Sequence, residues 1–298
     1  MDVEDSNERL DADSQRTVHG VGIALRFYLL TFTISWLVWG SAIFWSGLED
    51  WEPLIIMVGA YGPLLAAVLV PKLTRGSPFP FRRLASLRGR VRWVLIGSLG
   101  LPLVIAVAHV VLYRATGDVV SLSTDPPWYF AVAAAPINIL LLFWLGSAME
   151  EFGWQGVAVP ALLDRMDPLA AAGLHGLIWG TWHVPLFFVD SWKGGGQSVV
   201  VLFGITVALS PIMIWLTQSA AGGVMPAVLF HAATNHYTSV FTESGDKALF
   251  NPALEGWFDE IKLAIYVVVA LAVIVATRGR LGRSADATGS LRITRHGC

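Results

Sequence analysis

Two adjacent carboxylates, Glu150 and Glu151, interrupt the otherwise apolar run 129–158. Further along, His183 closes the stretch Trp179-Gly-Thr-Trp-His183, and His231 precedes Asn235 by four residues. A buried carboxylate can take a proton from water as a general base, and a histidine on the far side could hold that water. An imidazole and an amide one helical turn apart project side by side. They offer two donors to one developing oxyanion, each worth about 3–4 kcal/mol. Together these residue types suit hydrolysis of a carbonyl compound. Glu and His are also ordinary zinc ligands, so a metal reading of the same atoms stays open, although no H-E-x-x-H helix is present. The one cysteine, Cys298, is the last residue and Ser147 has no neighbouring base, which gives a thiol or serine nucleophile little support.

Spacing assigns provisional roles. Adjacent helical residues point about 100° apart, so Glu150 and Glu151 are not expected to face one cavity equally. One is the working carboxylate and the other a structural partner. Glu151 and Gln155, at i and i+4, share a face and can hydrogen-bond. Asn235 alone would read as interhelical glue; its pairing with His231 is what points to a site. His109, His175 and His236 have no partner pattern and read as satisfied core histidines.

The elements that must hold these groups lie in a membrane. Of 298 residues, 55% are hydrophobic and 14% charged, with a mean hydropathy of +0.61; an ordinary soluble domain carries about 25% charged residues. Apolar runs cover roughly 23–45, 53–71, 93–113, 129–158, 168–189, 198–217, 222–242 and 261–277. Each is long enough to cross a hydrocarbon core of about 30 Å. The runs are too continuous for a β-barrel. Helices are required, because no water is present there to satisfy exposed backbone groups. The expected fold is an all-α integral membrane protein of about eight transmembrane helices. A charged side chain at a helix centre costs about 2.5–3.5 kcal/mol on insertion scales, so carboxylates in such a run mark a polar cavity.

Charge sets the orientation. The loop 72–92 holds Lys72, Arg75, Arg82, Arg83, Arg88, Arg90 and Arg92 and no acid, and the tail after 277 holds Arg278, Arg280, Arg283, Arg292 and Arg295. All but four of the 20 basic residues (Arg114, Lys193, Lys247 and Lys262) fall on the side shared by both termini. The positive-inside rule makes that side cytoplasmic, in a multi-pass plasma-membrane protein. The expected organisation is a mobile acidic tail over 1–20, N-terminal transmembrane helices over 21–128 with the basic loop 72–92, a core over 129–242, an acidic outer loop and last helix over 243–277, and a basic tail over 278–298. The stretch 79–93 could lie as an amphipathic helix on anionic headgroups or serve only as an orientation signal. A net charge of −2 gives no reason to expect a nucleic-acid partner.

The chain resembles the CPBP family of intramembrane glutamic endopeptidases, which comprises the type II CAAX prenyl endopeptidases and bacterial relatives that include bacteriocin-immunity proteins. Three motifs carry the resemblance: Glu150-Glu151 followed after three residues by Gln155, Trp179 with His183 four positions on, and His231 with Asn235 four positions on. They lie within 129–242. The resemblance implies a peptidase in which Glu150 and His183 activate the attacking water and His231 and Asn235 form the oxyanion hole. Glu151 would be a supporting carboxylate, and neither metal nor cofactor would be needed. It further implies a peptide or protein substrate entering from the cytoplasm or the bilayer. The chain departs from the family pattern twice: Gln155 stands where the motif has arginine, and Trp179 where phenylalanine is more usual. The first departure keeps open a non-proteolytic immunity or scaffold protein of the same fold. A proton-coupled transporter using Glu150 and His183 as a relay is a further alternative.

Overall fold

The computed structural model describes residues 3–74, 78–115, 121–124, 127–189, 192, 198–242, 250–251 and 258–283. Side chains are described from residue 22 on, apart from those at 113, 121, 147–148 and 237–251. The architecture is helical: α1 Val3–Phe44, α2 Glu52–Ala60, α3 Gly62–Leu73, α4 Phe81–Leu84, α5 Val91–Leu95, α6 Leu101–Ala115, α7 Trp128–Leu142, α8 Ala148–Gly153, α9 Val159–Leu163, α10 Pro168–His183, α11 Val199–Ser219, α12 Met225–Thr242 and α13 Phe258–Ala276. Two-residue strands, β1 (Ser121–Leu122) and β2 (Phe250–Asn251), pair antiparallel.

Five segments are long and apolar enough to cross a membrane: Gly22–Phe44, Glu49–Leu73, Val91–Leu112, Trp128–Gly146 and Val199–Ser219. The protein is an all-α membrane protein. The other three apolar runs of the sequence are helical as well, as α10, α12 and α13. They are shorter or more polar, because they carry the histidines of the candidate site or, in α13, Asp259, Glu260 and Lys262.

Two local expectations change. The backbone of residues 3–20, within the stretch 1–20 read from sequence as a mobile tail, is helical and forms the first part of α1. Once an apolar segment has nucleated a helix, each further residue adds a hydrogen bond at little cost, and no proline interrupts this stretch. The basic stretch 79–93 is not one amphipathic helix. Pro78 and Pro80 lack backbone donors, and Gly89 takes a left-handed φ of +72°, so only the single turn α4 forms before α5. Phe81 stacks on Phe152 at 4.5 Å, and Leu84 is buried beside Met149, Phe152 and Val228. Arg90 donates to the carbonyls of Arg83 and Ser86, both at 2.8 Å. This loop thus packs under the segment that carries the glutamates.

Close helix approaches fix the site-bearing elements. A side chain at Gly153 would meet the Pro63 carbonyl oxygen at 2.5 Å, and one at Gly176 would meet the Val207 Cα at 2.5 Å. Glycine there lets α8 press on α3 and α10 press on α11. Asp167 caps α10 by accepting from the Leu169 and Ala170 amides at 3.1 and 3.0 Å, with Pro168 at the first helical position. The far end of α10 is tied to α1, where Trp36 Nε1 donates to the Trp182 carbonyl at 3.0 Å. Trp154 sits in the core between them, its ring 5.6 Å from both Phe27 and Trp182.

Candidate active site

Residues 143–158 build the carboxylate pair. After α7 the helix widens into a π turn, Phe143–Ser147, tightens into α8 and widens again at Trp154–Ala158. Such π turns interrupt α-helices mostly as single bulges, often at functional sites. Between them Glu150 and Glu151 are 7% and 1% exposed. The two carboxylates, which were not expected to face one cavity equally, reach partners on different helices. Ligand atoms of Glu150, Glu151 and His231 all lie within 4.8 Å of one another. The 100° between neighbours is accommodated by two anchors on different helices. Glu150 Oε2 accepts from Trp179 Nε1 on α10 at 3.0 Å, and Glu151 Oε1 lies 3.0 Å from His231 Nδ1 on α12.

The two histidines are held differently. His183 Nδ1 lies 3.0 Å from the Trp179 carbonyl. A carbonyl only accepts, so Nδ1 carries the hydrogen and Nε2 keeps its lone pair. His231 Nδ1 faces a carboxylate, which also accepts, and its Nε2 is the free ring position. The Trp179 ring stands between the two, 5.4 Å from His231 edge-on and 5.9 Å from His183. His183 is half-buried, and it lies outside the Glu150–Glu151–His231 cluster. Its helix begins at Pro168 and passes into a 3-10 turn at Val184–Phe188. Asn235 lies one turn beyond His231, where it is exposed.

Gln155 departs from expectation. It is 1% exposed, and neither amide atom has a hydrogen-bond partner among the described residues. The anticipated bond to Glu151 is not made, because the π turn starting at Trp154 breaks the i to i+4 register on which it depended. The second oxygen of Glu151 likewise has no described hydrogen bond.

The sequence marks Trp179 as a supporting motif residue and reads His175 as a satisfied core histidine. His175 is 1% exposed, with its ring parallel to Trp179 at 6.3 Å. Residues 175, 179 and 183 recur at intervals of four, so their side chains form one stripe on α10. That periodicity was the signal available for both. The cluster of two carboxylates and one imidazole is also a chemically suitable donor set for a divalent metal such as zinc.

Residues 132–237 match the sequence model of a family described as Rce1-like, type II CAAX prenyl endopeptidase. The chain is also 22% identical over 222 residues to CAAX prenyl protease 2 of Methanococcus maripaludis, an alignment covering 70% of this chain and 81% of the relative. Every residue described above from Glu150 to Asn235 falls inside the matched segment. Across that core, the chain is similar to the type II CAAX prenyl endopeptidase family.

Proposed function

We propose that the protein is an intramembrane glutamic endopeptidase that hydrolyses a peptide bond without a metal. Glu150 takes a proton from water while His183, through its Nε2 lone pair, holds the same water. The hydroxide attacks the peptide carbonyl, and the oxyanion is received by His231 and Asn235. Glu150 then returns the proton to the departing amine, so charge and protons balance over the cycle. For His231 to donate from Nε2 while Nδ1–H points to Glu151, the ring must carry both hydrogens, and the Glu151 carboxylate neutralises it. The observation that carries this reading is the convergence of Glu150, Glu151 and His231 within 4.8 Å among apolar helices, where ionisable groups are costly and their retention signals function.

The distribution of basic residues supports a plasma-membrane protein with both termini and the mouth of the site on the cytoplasmic side. The substrate is a peptide or protein that arrives from the cytoplasm or the bilayer, and the relative's name makes a prenylated CAAX segment the first class to try. The test is cleavage of a prenylated CAAX peptide by purified protein, alongside comparison of peptide termini in membranes holding native protein or Glu150→Gln. Glu150→Gln should be folded and inactive; retained cleavage rejects the assignment. A second reading, a non-proteolytic immunity or scaffold protein, draws on the buried Gln155 at the motif arginine position, whose amide has no hydrogen-bond partner among the described residues. It wins if Glu150→Gln preserves the cellular phenotype and no peptide is cut.

A further inference from the structure

Trp179 meets three members of the proposed machinery, Glu150 on α8, His183 on α10 and His231 on α12. Its indole N–H donates to Glu150 Oε2 at 3.0 Å in a buried setting. Its carbonyl accepts from His183 Nδ1 at 3.0 Å. Its ring meets the His231 ring at 5.4 Å and 80°. The ring is itself fixed, being 3% exposed and backed by the parallel His175 ring at 6.3 Å.

We propose that Trp179 is the positioning residue of the site, its N–H orienting the Glu150 carboxylate while its carbonyl and ring seat the two histidines. The inference rests on the reading of Glu150 as general base and adds the group that aims it. A carboxylate that shares a water must present one oxygen to it. With Oε2 held by the Trp179 indole, Oε1 is the oxygen assigned to the water. Phenylalanine at 179 would keep the ring and the carbonyl but lose the N–H, so this contact belongs to tryptophan. Gln155 does not substitute for it, since its amide reaches no described partner.

Two measurements test this on the full chain in lipid nanodiscs. In protein carrying 15N-labelled tryptophan, the indole resonance that vanishes in Trp179→Phe is expected downfield, as a charge-assisted hydrogen bond requires, and should move in Glu150→Gln. A resonance unmoved by Glu150→Gln overturns the contact without reference to activity. With a prenylated CAAX peptide as probe, Trp179→Phe should lower kcat roughly 10- to 100-fold while KM stays within about twofold, because orientation and not binding is lost. Should Trp179→Phe fold poorly, replacing Trp179 by β-(3-benzothienyl)alanine removes only the N–H and should give the same loss. If that isostere keeps full kcat while Glu150→Gln is inactive, the positioning role falls and the general-base reading stands. If Glu150→Gln still cleaves, both fall.

Discussion

The imidazole of His231 is held by Glu151, not by Glu150, with Nδ1 to Oε1 at 3.0 Å and both groups buried. The two glutamates are therefore anchored differently from adjacent positions. Glu150 is bound to α10 through an indole, and Glu151 to α12 through a histidine.

This division predicts distinct outcomes for the two carboxylates. Glu151→Gln can still accept from Nδ1–H but no longer neutralises a doubly protonated ring. Its cleavage rate should fall on the order of 10²-fold, the size of losing one oxyanion donor, while Glu150→Gln abolishes turnover. Glu151→Ala strands the Nδ1–H in a buried site and should also cost about 1–3 kcal/mol of stability. Rates and thermal unfolding of the three purified variants check this. Equal loss in Glu151→Gln and Glu150→Gln would remove the distinction.

The helical framework of this candidate site was legible because α-helical spacing is a local rule. His231 with Asn235, and Trp179 with His183, fall four residues apart, and the apolar runs mark the helices that carry them. What was not legible depends on contacts across long separations. The Trp179–Glu150 bond joins residues 29 apart and the His231–Glu151 bond joins residues 80 apart, and no spacing rule reaches so far. The π turns at Phe143–Ser147 and Trp154–Ala158 explain the remaining errors. They have no sequence signature in the hydrophobic pattern, yet they shift the phase of every side chain beyond them. A register of four drawn from Glu151 to Gln155 was bound to fail across such a turn.

Packing of α10 on α11 sets the reach of Trp179 and His183. A Cβ at Gly176 would meet Val207 Cα at 2.5 Å and the Thr206 carbonyl oxygen at 2.9 Å, both backbone atoms that cannot swing aside. Gly176→Ala should therefore destabilise the protein by about 1–3 kcal/mol through overpacking. It should lower activity as well, since α10 carries both residues away from α8. Gly173→Ala, on the same helix with nothing within 4 Å of its Cβ, is the control and should be neutral or slightly stabilising. Unfolding temperatures in detergent compare them; equal effects at the two glycines would show that the seam is looser than its geometry.

Gln155 allows a test in the opposite direction. A buried amide with no protein partner loses its hydration on folding without replacement, which costs about 1–3 kcal/mol. Gln155→Met, of similar volume, should leave stability unchanged or raise it, and because the Gln155 amide makes no hydrogen bond to the reacting groups among the described residues, cleavage should continue. A fall in stability above about 2 kcal/mol would mean that the amide is satisfied in the folded protein, by buried water making several bonds to it.

The remaining question is whether Glu150, Glu151 and His231 hold a proton network or a metal. In the fold as described, Glu150 Oε2 is directed at an indole N–H and Glu151 Oε1 at the His231 Nδ1. A ligating imidazole binds through a bare nitrogen, so a metal at their centre would either strip Nδ1 of its hydrogen or take the Nε2 position assigned to the oxyanion. It would also compete for Glu150 Oε2 with the Trp179 N–H, a neutral donor whose hydrogen carries partial positive charge. A proton network needs neither change. Activity should therefore survive prolonged treatment with 1,10-phenanthroline or EDTA to within about twofold, and added zinc should fail to stimulate it. Loss on chelation with recovery on adding zinc would assign the same three residues as ligands and replace the glutamic mechanism with a metal-bound water.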